Sequence, residues 1–287
     1  MNNVSDFFLP PDDCYVLPEG RQFKYHTDDY FRMGSSHHVC QDYSRAFPNS
    51  VFVSDGCSSS RDTDFGSRIA VLCAAELLGD DDLLTTPQLI HRMKESLPSQ
   101  LKPEALDATL LAAYIHPNGF VQVKVFGDGV VVIRRRDGSV LVIDINQKGA
   151  PAYPSYWGDE DRMKTYKDSG YGDYEAILTI DGVLAGVTGH NIEAFPAYKF
   201  MVNPMDVDLV VLMSDGAKSF QDVSGLSPKE VPLSQVLPHL IGFKNLTGAF
   251  VGRRLNAFLT KEMPKLNWRH YDDLAMAAIY MKDVQDA

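Results

Sequence analysis

The chain has 287 residues, 45% of them hydrophobic and 10% aromatic, with a formal net charge of −11. This composition excludes a disordered chain, and the length suffices for one large domain or two small ones. The acidity argues against wrapping nucleic acid or lying on an anionic membrane, and no apolar run approaches the ~20 residues of a membrane span.

In chain order, residues 1–30 are mixed and read as an arm or an edge strand. Val51–Val53 is a short strand that stops at Ser54-Asp55-Gly56. A helix follows, with Asp62 or Asp64 as its cap, Gly79 as its end, and Ile69, Leu72, Cys73 and Leu77 on one face. A second helix starts at Thr86-Pro87, lines its inner face with Leu89, Met93 and Leu97, and ends at Pro98. Strands are expected at 108–115, 120–126, 130–134 and 139–145. Asn118-Gly119 and Asp137-Gly138 separate neighbouring runs as hairpin signals, which predicts an antiparallel meander. Residues 146–176 read as a long irregular loop, of the kind that is functional or mobile. A strand pair is expected at 176–180 and 183–187. The apolar strand Leu209–Met213 then runs into a second Ser-Asp-Gly, Ser214 to Gly216. Residues 247–260 read as a helix with Phe250, Leu255, Phe258 and Leu259 inward. The strand Leu274–Met281, preceded by Tyr271-Asp272-Asp273, is the last clear element. Many strands in the middle and helices in two groups predict an α+β fold of antiparallel sheets covered by helices. No composition break marks a domain boundary, so residues 1–287 are expected to form one domain.

Four acids fall at element junctions: Asp42 before the first strand, Asp55 and Asp215 at strand ends, and Asp272 at a strand start. Each alone is an ordinary turn residue, since Asp bonds nearby backbone amides. Together they lie where strand ends share an edge. Converging carboxylates repel unless a cation offsets them. Mg²⁺ and Mn²⁺ do so with oxygen ligands, and a glycine after Asp55 lets a backbone carbonyl approach as a ligand.

The order of these motifs resembles the metal-dependent protein serine/threonine phosphatases of type 2C. The matching residues are Gln41-Asp42, FVSDG with Gly66 and Ala70 in the following helix, DATLLAAYI from Asp107, and FGDGVVVIRRRDG from Phe126. The series closes with VLMSDGAKSF from Val211 and YDDLAMAAIYM from Tyr271. The resemblance implies a four-layer αββα fold, a β-sandwich flanked by helices on both faces, with two metal ions, Mn²⁺ or Mg²⁺, at one end. By residue matching, Asp55 bridges both ions, the Gly56 carbonyl binds one, Asp215 and Asp272 complete the other, and Asp42 holds a metal-bound water. Such a water, between cations ~3.5–4 Å apart, becomes a nucleophile near neutral pH. Asp128 matches an acid linked in the family to a third metal.

The chain also departs from the family pattern. His37 stands where many members have a phosphate-binding Arg, and is expected to bond phosphate or act as a general acid. Gln41 replaces a Glu, Cys57 a His, and Ser219 an Asp, which weighs against a third ion. Residues 146–176 fall where the family places a flap. The implied substrate is phosphoserine or phosphothreonine in a protein. The competing readings are an inactive pseudophosphatase serving as a binding module, and a two-metal phosphoesterase for small esters. None of Cys14, Cys40, Cys57 and Cys73 forms a C-x-x-C pair, and the N-terminus lacks a signal pattern. The expectation is reduced cysteines, no zinc and a cytoplasmic protein, with no nucleic-acid or membrane partner and oligomeric state left open.

Overall fold

The structure is a computed structural model that describes residue 17 and residues 21–78, 86–147, 150–171, 173–191 and 198–284. Strands β1 (Phe23–Arg32), β2 (Tyr43–Phe47) and β3 (Ser50–Ser54) precede helices α1 (Thr63–Leu77) and α2 (Thr86–Ser96). Then come β4 (Leu110–Ile115), β5 (Val121–Phe126), β6 (Gly129–Arg135), β7 (Val140–Gln147) and α3 (Glu160–Asp168). Next are β8 (Asp173–Ile180), β9 (Val183–Asn191), β10 (Tyr198–Val202) and β11 (Val207–Met213). The chain continues through β12 (Phe220–Asp222), β13 (Lys229–Glu230), α4 (Leu233–Ile241) and α5 (Phe250–Ala257) to β14 (Trp268–His270) and β15 (Leu274–Asp283).

Two antiparallel sheets carry the architecture. One has seven strands in the order β1-β15-β11-β6-β7-β8-β9, and the other five in the order β10-β5-β4-β3-β2. Side chains alternate across a strand, so each run must satisfy two faces. Val51, Val53, Leu111, Ala113, Val131, Ile133, Val210 and Leu212 fill the space between the sheets. Their neighbours point the other way. Phe52, Leu110 and Ala112 pack with Val71, Ala74 and Leu89 beneath α1 and α2. Val130, Val132, Leu209 and Val211 pack with Val236, Leu240, Phe250 and Leu255 beneath α4 and α5. With both faces covered, the central strands read as continuous apolar runs rather than alternating ones. The result is the expected α-β-β-α sandwich.

Three details differ from expectation, and a fourth falls partly outside the described residues. First, β4 pairs with β5 and β6 with β7, but the two hairpins lie in different sheets, so the meander breaks at Gly127-Asp128-Gly129. Second, α1 buries Gly66, Ser67, Ala70, Val71, Cys73 and Ala74, while Leu72 is 49% exposed. Small residues let this helix lie close to the sheet, and the bulkier Leu72 turns outward. Asp62 sits at the N-cap position with φ 62° and makes no capping bond, and the expected end at Gly79 lies outside the described residues. Third, the stretch 146–176 holds a 3₁₀ turn, Pro154–Gly158, and α3, whose Asp159 side chain accepts from the Arg162 amide as a true cap. Fourth, the N-terminal arm reading falls on residues 1–16 and 18–20, outside the described residues, while β1 is an edge strand of the larger sheet.

Candidate metal centre

Strand register brings the acids to one rim of the sandwich. The end of β3 lies beside the start of β2, with Ser54 opposite Tyr43, and beside the start of β4, with Val53 opposite Leu111. The end of β11 lies beside the starts of β15 and β6, with Met213 opposite both Met276 and Val130. Asp42, Asp55, Asp128, Asp215 and Asp272 all follow or precede one of these ends.

The five carboxylates act on one another. Burial pushes Asp42 up to about 7, repulsion from Asp215 and Asp273 adds to it, and hydrogen bonding with Asp55 and Ser214 opposes it. Asp42 Oδ2 is buried and accepts no hydrogen bond. Asp55 is pushed well above the carboxylate range, by burial first and then by Asp42, Asp215 and Asp128. Burial, Asp215 and Asp144 push Asp128 up to about 7 against the opposing charge of Lys218. Asp272 is raised by burial and by Asp215, while His37 pulls the other way. Asp215 is thus the neighbour common to the other four.

Among the described residues, no three His, Cys, Asp or Glu side chains already stand at the spacing of a finished metal cage. The donor chemistry nonetheless fits a hard divalent cation: the set is all oxygen, its negative charge is uncompensated in the middle, and one buried carboxylate oxygen has no partner. Gly56 is fixed by space. A Cβ there would come within 2.6 Å of the Thr63 carbonyl oxygen.

Asp272 and its neighbour divide the work. Asp273 is 2% exposed and accepts from the backbone amides of Gly34 at 2.8 Å and Gln41 at 2.6 Å. It fixes the loop that carries His37, Gln41 and Asp42. His37 lies across the pair, with Nε2 3.2 Å from Asp272 Oδ1 and Nδ1 3.0 Å from Asp273 Oδ2. Burial alone would discourage its protonation, but Asp273, Asp272 and Asp42 outweigh this and raise its pKa. Both ring nitrogens therefore face carboxylates. Gln41 Nε2 donates to Thr63 Oγ1 at 2.8 Å. Cys57 Sγ lies 3.0 Å from Ser59 Oγ. Ser219 Oγ donates to the Gly216 carbonyl and accepts from the Asp272 amide.

The segment 150–171 docks on a second buried acid, Asp107, which is 1% exposed. Its Oδ1 accepts from Ser155 Oγ at 2.7 Å, and its Oδ2 from Arg162 Nη2 at 2.6 Å and Ser60 Oγ at 3.0 Å. Arg162 also stacks over Tyr156, and Tyr156 packs edge-on against Tyr153. Tyr153 is buried, and its hydroxyl bonds Cys57 beside Asp55 and Asp128.

Sequence reasoning missed Asp107, Asp273, Tyr153 and Lys218. A usable signal existed for the first two. DATLLAAYI and DLAMAAIYM are the same pattern, an acid opening an apolar strand. Tyr153 and Lys218 carried no such signal.

The protein phosphatase 2C family model matches residues 33–259. No curated protein matches the chain. The chain is similar to the phosphatase domain, with a regulatory fragment, of the cell-fate determinant SpoIIE from Bacillus subtilis. That likeness has 14% identity and a TM-score of 0.50, covering 92% of this chain and 65% of that one. It is also similar to the Mycobacterium tuberculosis serine/threonine phosphatase PstP/Ppp, at 14% identity and a TM-score of 0.49, covering 90% and 99% of the two chains. Among the described residues, no helix is long and apolar enough to cross a membrane.

Proposed function

The chain belongs to the protein phosphatase 2C family, and we propose that it hydrolyses phosphoserine and phosphothreonine in proteins with Mn²⁺ or Mg²⁺. The observation that carries this reading is the group of mutually repelling carboxylates at the ends of both Ser-Asp-Gly strands. Asp55 and the Gly56 carbonyl would hold one ion, with Asp55 shared to a second that Asp215 and Asp272 complete. Divalent ions held there supply an acidified water for attack on phosphorus and offset charge on the phosphoryl oxygens.

The chain's own groups do the rest. Asp42, bonded to Asp55 and Ser214, would hold the attacking water in the buried middle of the cluster and accept its proton. Asp273 keeps Asp42 in place through the loop amides it accepts from. His37 is held between Asp272 and Asp273, whose carboxylates raise its pKa and favour a positive charge at the rim. That charge suits a phosphate dianion or a departing alkoxide approaching a protein of net charge −11. Tyr153, buried beside Cys57, Asp55 and Asp128, lines the site on the side of the segment 150–171.

The test is hydrolysis of an aryl phosphate and a phosphothreonine peptide with Mn²⁺, with and without chelator, for the wild type and Asp55→Asn. Chelator-sensitive turnover that Asp55→Asn abolishes is expected. Mn²⁺ binding without turnover on either substrate would instead mark a binding module, and turnover of the aryl phosphate alone a small-ester hydrolase.

A further inference from the structure

Each end of the acid row meets a nitrogen-bearing side chain of the protein itself. At the Asp272 end it is His37. At the Asp128 end it is Lys218, the last residue of the 3₁₀ turn that begins with Asp215. Its Nζ donates to Asp144 Oδ1 at 3.0 Å and to Asn146 Oδ1 at 2.6 Å, both on β7. Asp144 faces Val130 across the β6–β7 ladder, two residues beyond Asp128. Lys218 thus spans from the second Ser-Asp-Gly turn to the strand beside Asp128. Between these ends Asp42 is 2% exposed, and its Oδ2 has no hydrogen-bond partner. The uncompensated charge lies in the middle of the row.

We propose that Lys218 is a positioning residue that supplies a permanent cation beside Asp128, closes that end to divalent ions and confines them to the Asp42–Asp55–Asp215–Asp272 stretch. The inference rests on the metal-centre reading above. A fixed ammonium with three donors, two of them spent on Asp144 and Asn146, offsets charge without dissociating. A divalent ion placed beside it would meet repulsion that falls only slowly with distance in a partly buried site. Asp128 then serves as the counter-charge to Lys218 and not as an ion's main ligand.

The experiment is Mn²⁺ stoichiometry by calorimetry and equilibrium dialysis on wild type, Lys218→Met, Lys218→Gln and Lys218→Arg. Metal-free thermal melts and circular dichroism check that each is folded. The expected result is two ions for wild type and Lys218→Arg. Lys218→Met and Lys218→Gln, which keep length but lose charge, are expected to take up one more. A folded Lys218→Gln or Lys218→Met that still takes up two ions overturns the inference and leaves the metal centre standing. Three ions in the wild type also overturn it. A wild type that binds no Mn²⁺ overturns the metal centre itself, and this inference with it.

Discussion

The two strand pairs β3–β4 and β11–β15 are built alike and used differently. In each, an apolar strand ends in a buried serine, an aspartate and a glycine, and the antiparallel neighbour starts just after a buried acid, Asp107 or Asp273. A backbone bond links each pair, in opposite senses: Thr109 donates its amide to the Asp55 carbonyl, whereas Ser214 donates its own amide to the Ala275 carbonyl. Both glycines are pressed against backbone, and a Cβ at Gly216 would fall 1.6 Å from the Asp273 carbonyl oxygen. The difference lies in what the neighbouring acid holds. Asp273 accepts from backbone amides, which have no other conformation to turn to. Asp107 accepts from side chains of Ser60, Ser155 and Arg162, which water can serve equally well. One device holds a loop by its backbone, and the other holds the segment 150–171 by side chains alone.

Removing the central acids should have the largest effect and should separate the two Ser-Asp-Gly ends. Asp55→Asn is expected to lower kcat by on the order of 10³-fold, because the proposed ion-sharing ligand would act on both cations. Asp215→Asn should cost less in kcat, with its loss appearing mainly as weaker Mn²⁺ affinity. Equal losses in both parameters would erase the distinction drawn between the two ends.

The neighbouring acids come next. Asp273→Ala strands the amides of Gly34 and Gln41 and removes the carboxylate facing His37 Nδ1, for about 3–5 kcal/mol and a fall in Tm of about 10 °C by thermal melt. Asp107→Ala should lower Tm by no more than a few degrees. It should instead speed proteolytic cutting within 150–171 and raise KM for the phosphopeptide, with Mn²⁺ affinity kept. A flap that stays as protease-resistant as in the wild type would show that Asp107 does not fasten it.

The smallest effect is on pH dependence. Asp42 and Asp55 are raised in the folded state, so the metal-free fold binds more protons than the unfolded chain between about pH 4 and 7. Their ionisation penalty is absent below that window and grows as pH rises through it. Metal-free Tm should therefore fall from pH 5.5 to pH 8. Mn²⁺ should raise Tm more at pH 8 than at pH 5.5, since protons compete with it. A metal-free Tm independent of pH would remove the repulsion on which the centre is argued.

The strands were legible because their apolar runs end in turn residues, and the acids because they sit at those ends. The switch between sheets was not. Gly127-Asp128-Gly129 reads like any hairpin connector, and the run of residues does not say on which sheet the next strand lands. The α3 sequence EDRMKTYKD buries only Tyr166, so it has no apolar stripe to detect. Asp272 and Asp273 are the same residue side by side. Only the packing of the 34–41 loop decides which one is buried. Lys218 meets β7 through a contact 74 residues away in sequence, which no local pattern encodes.

The β1–β15 pairing has a consequence for when the site comes into being. Phe23 to Arg32 match Asp283 to Leu274 residue for residue, so two of the most distant segments of the chain share one ladder. Asp42 follows the first of these strands, and Asp272 and Asp273 precede the second. During synthesis, the acids near the N-terminus emerge long before their partners, and such long-range pairing closes slowly. Until β15 arrives, β1 and β11 lack their shared neighbour and the acids have no common rim. The proposed metal centre would therefore take shape only once β15 has paired with β1 and β11.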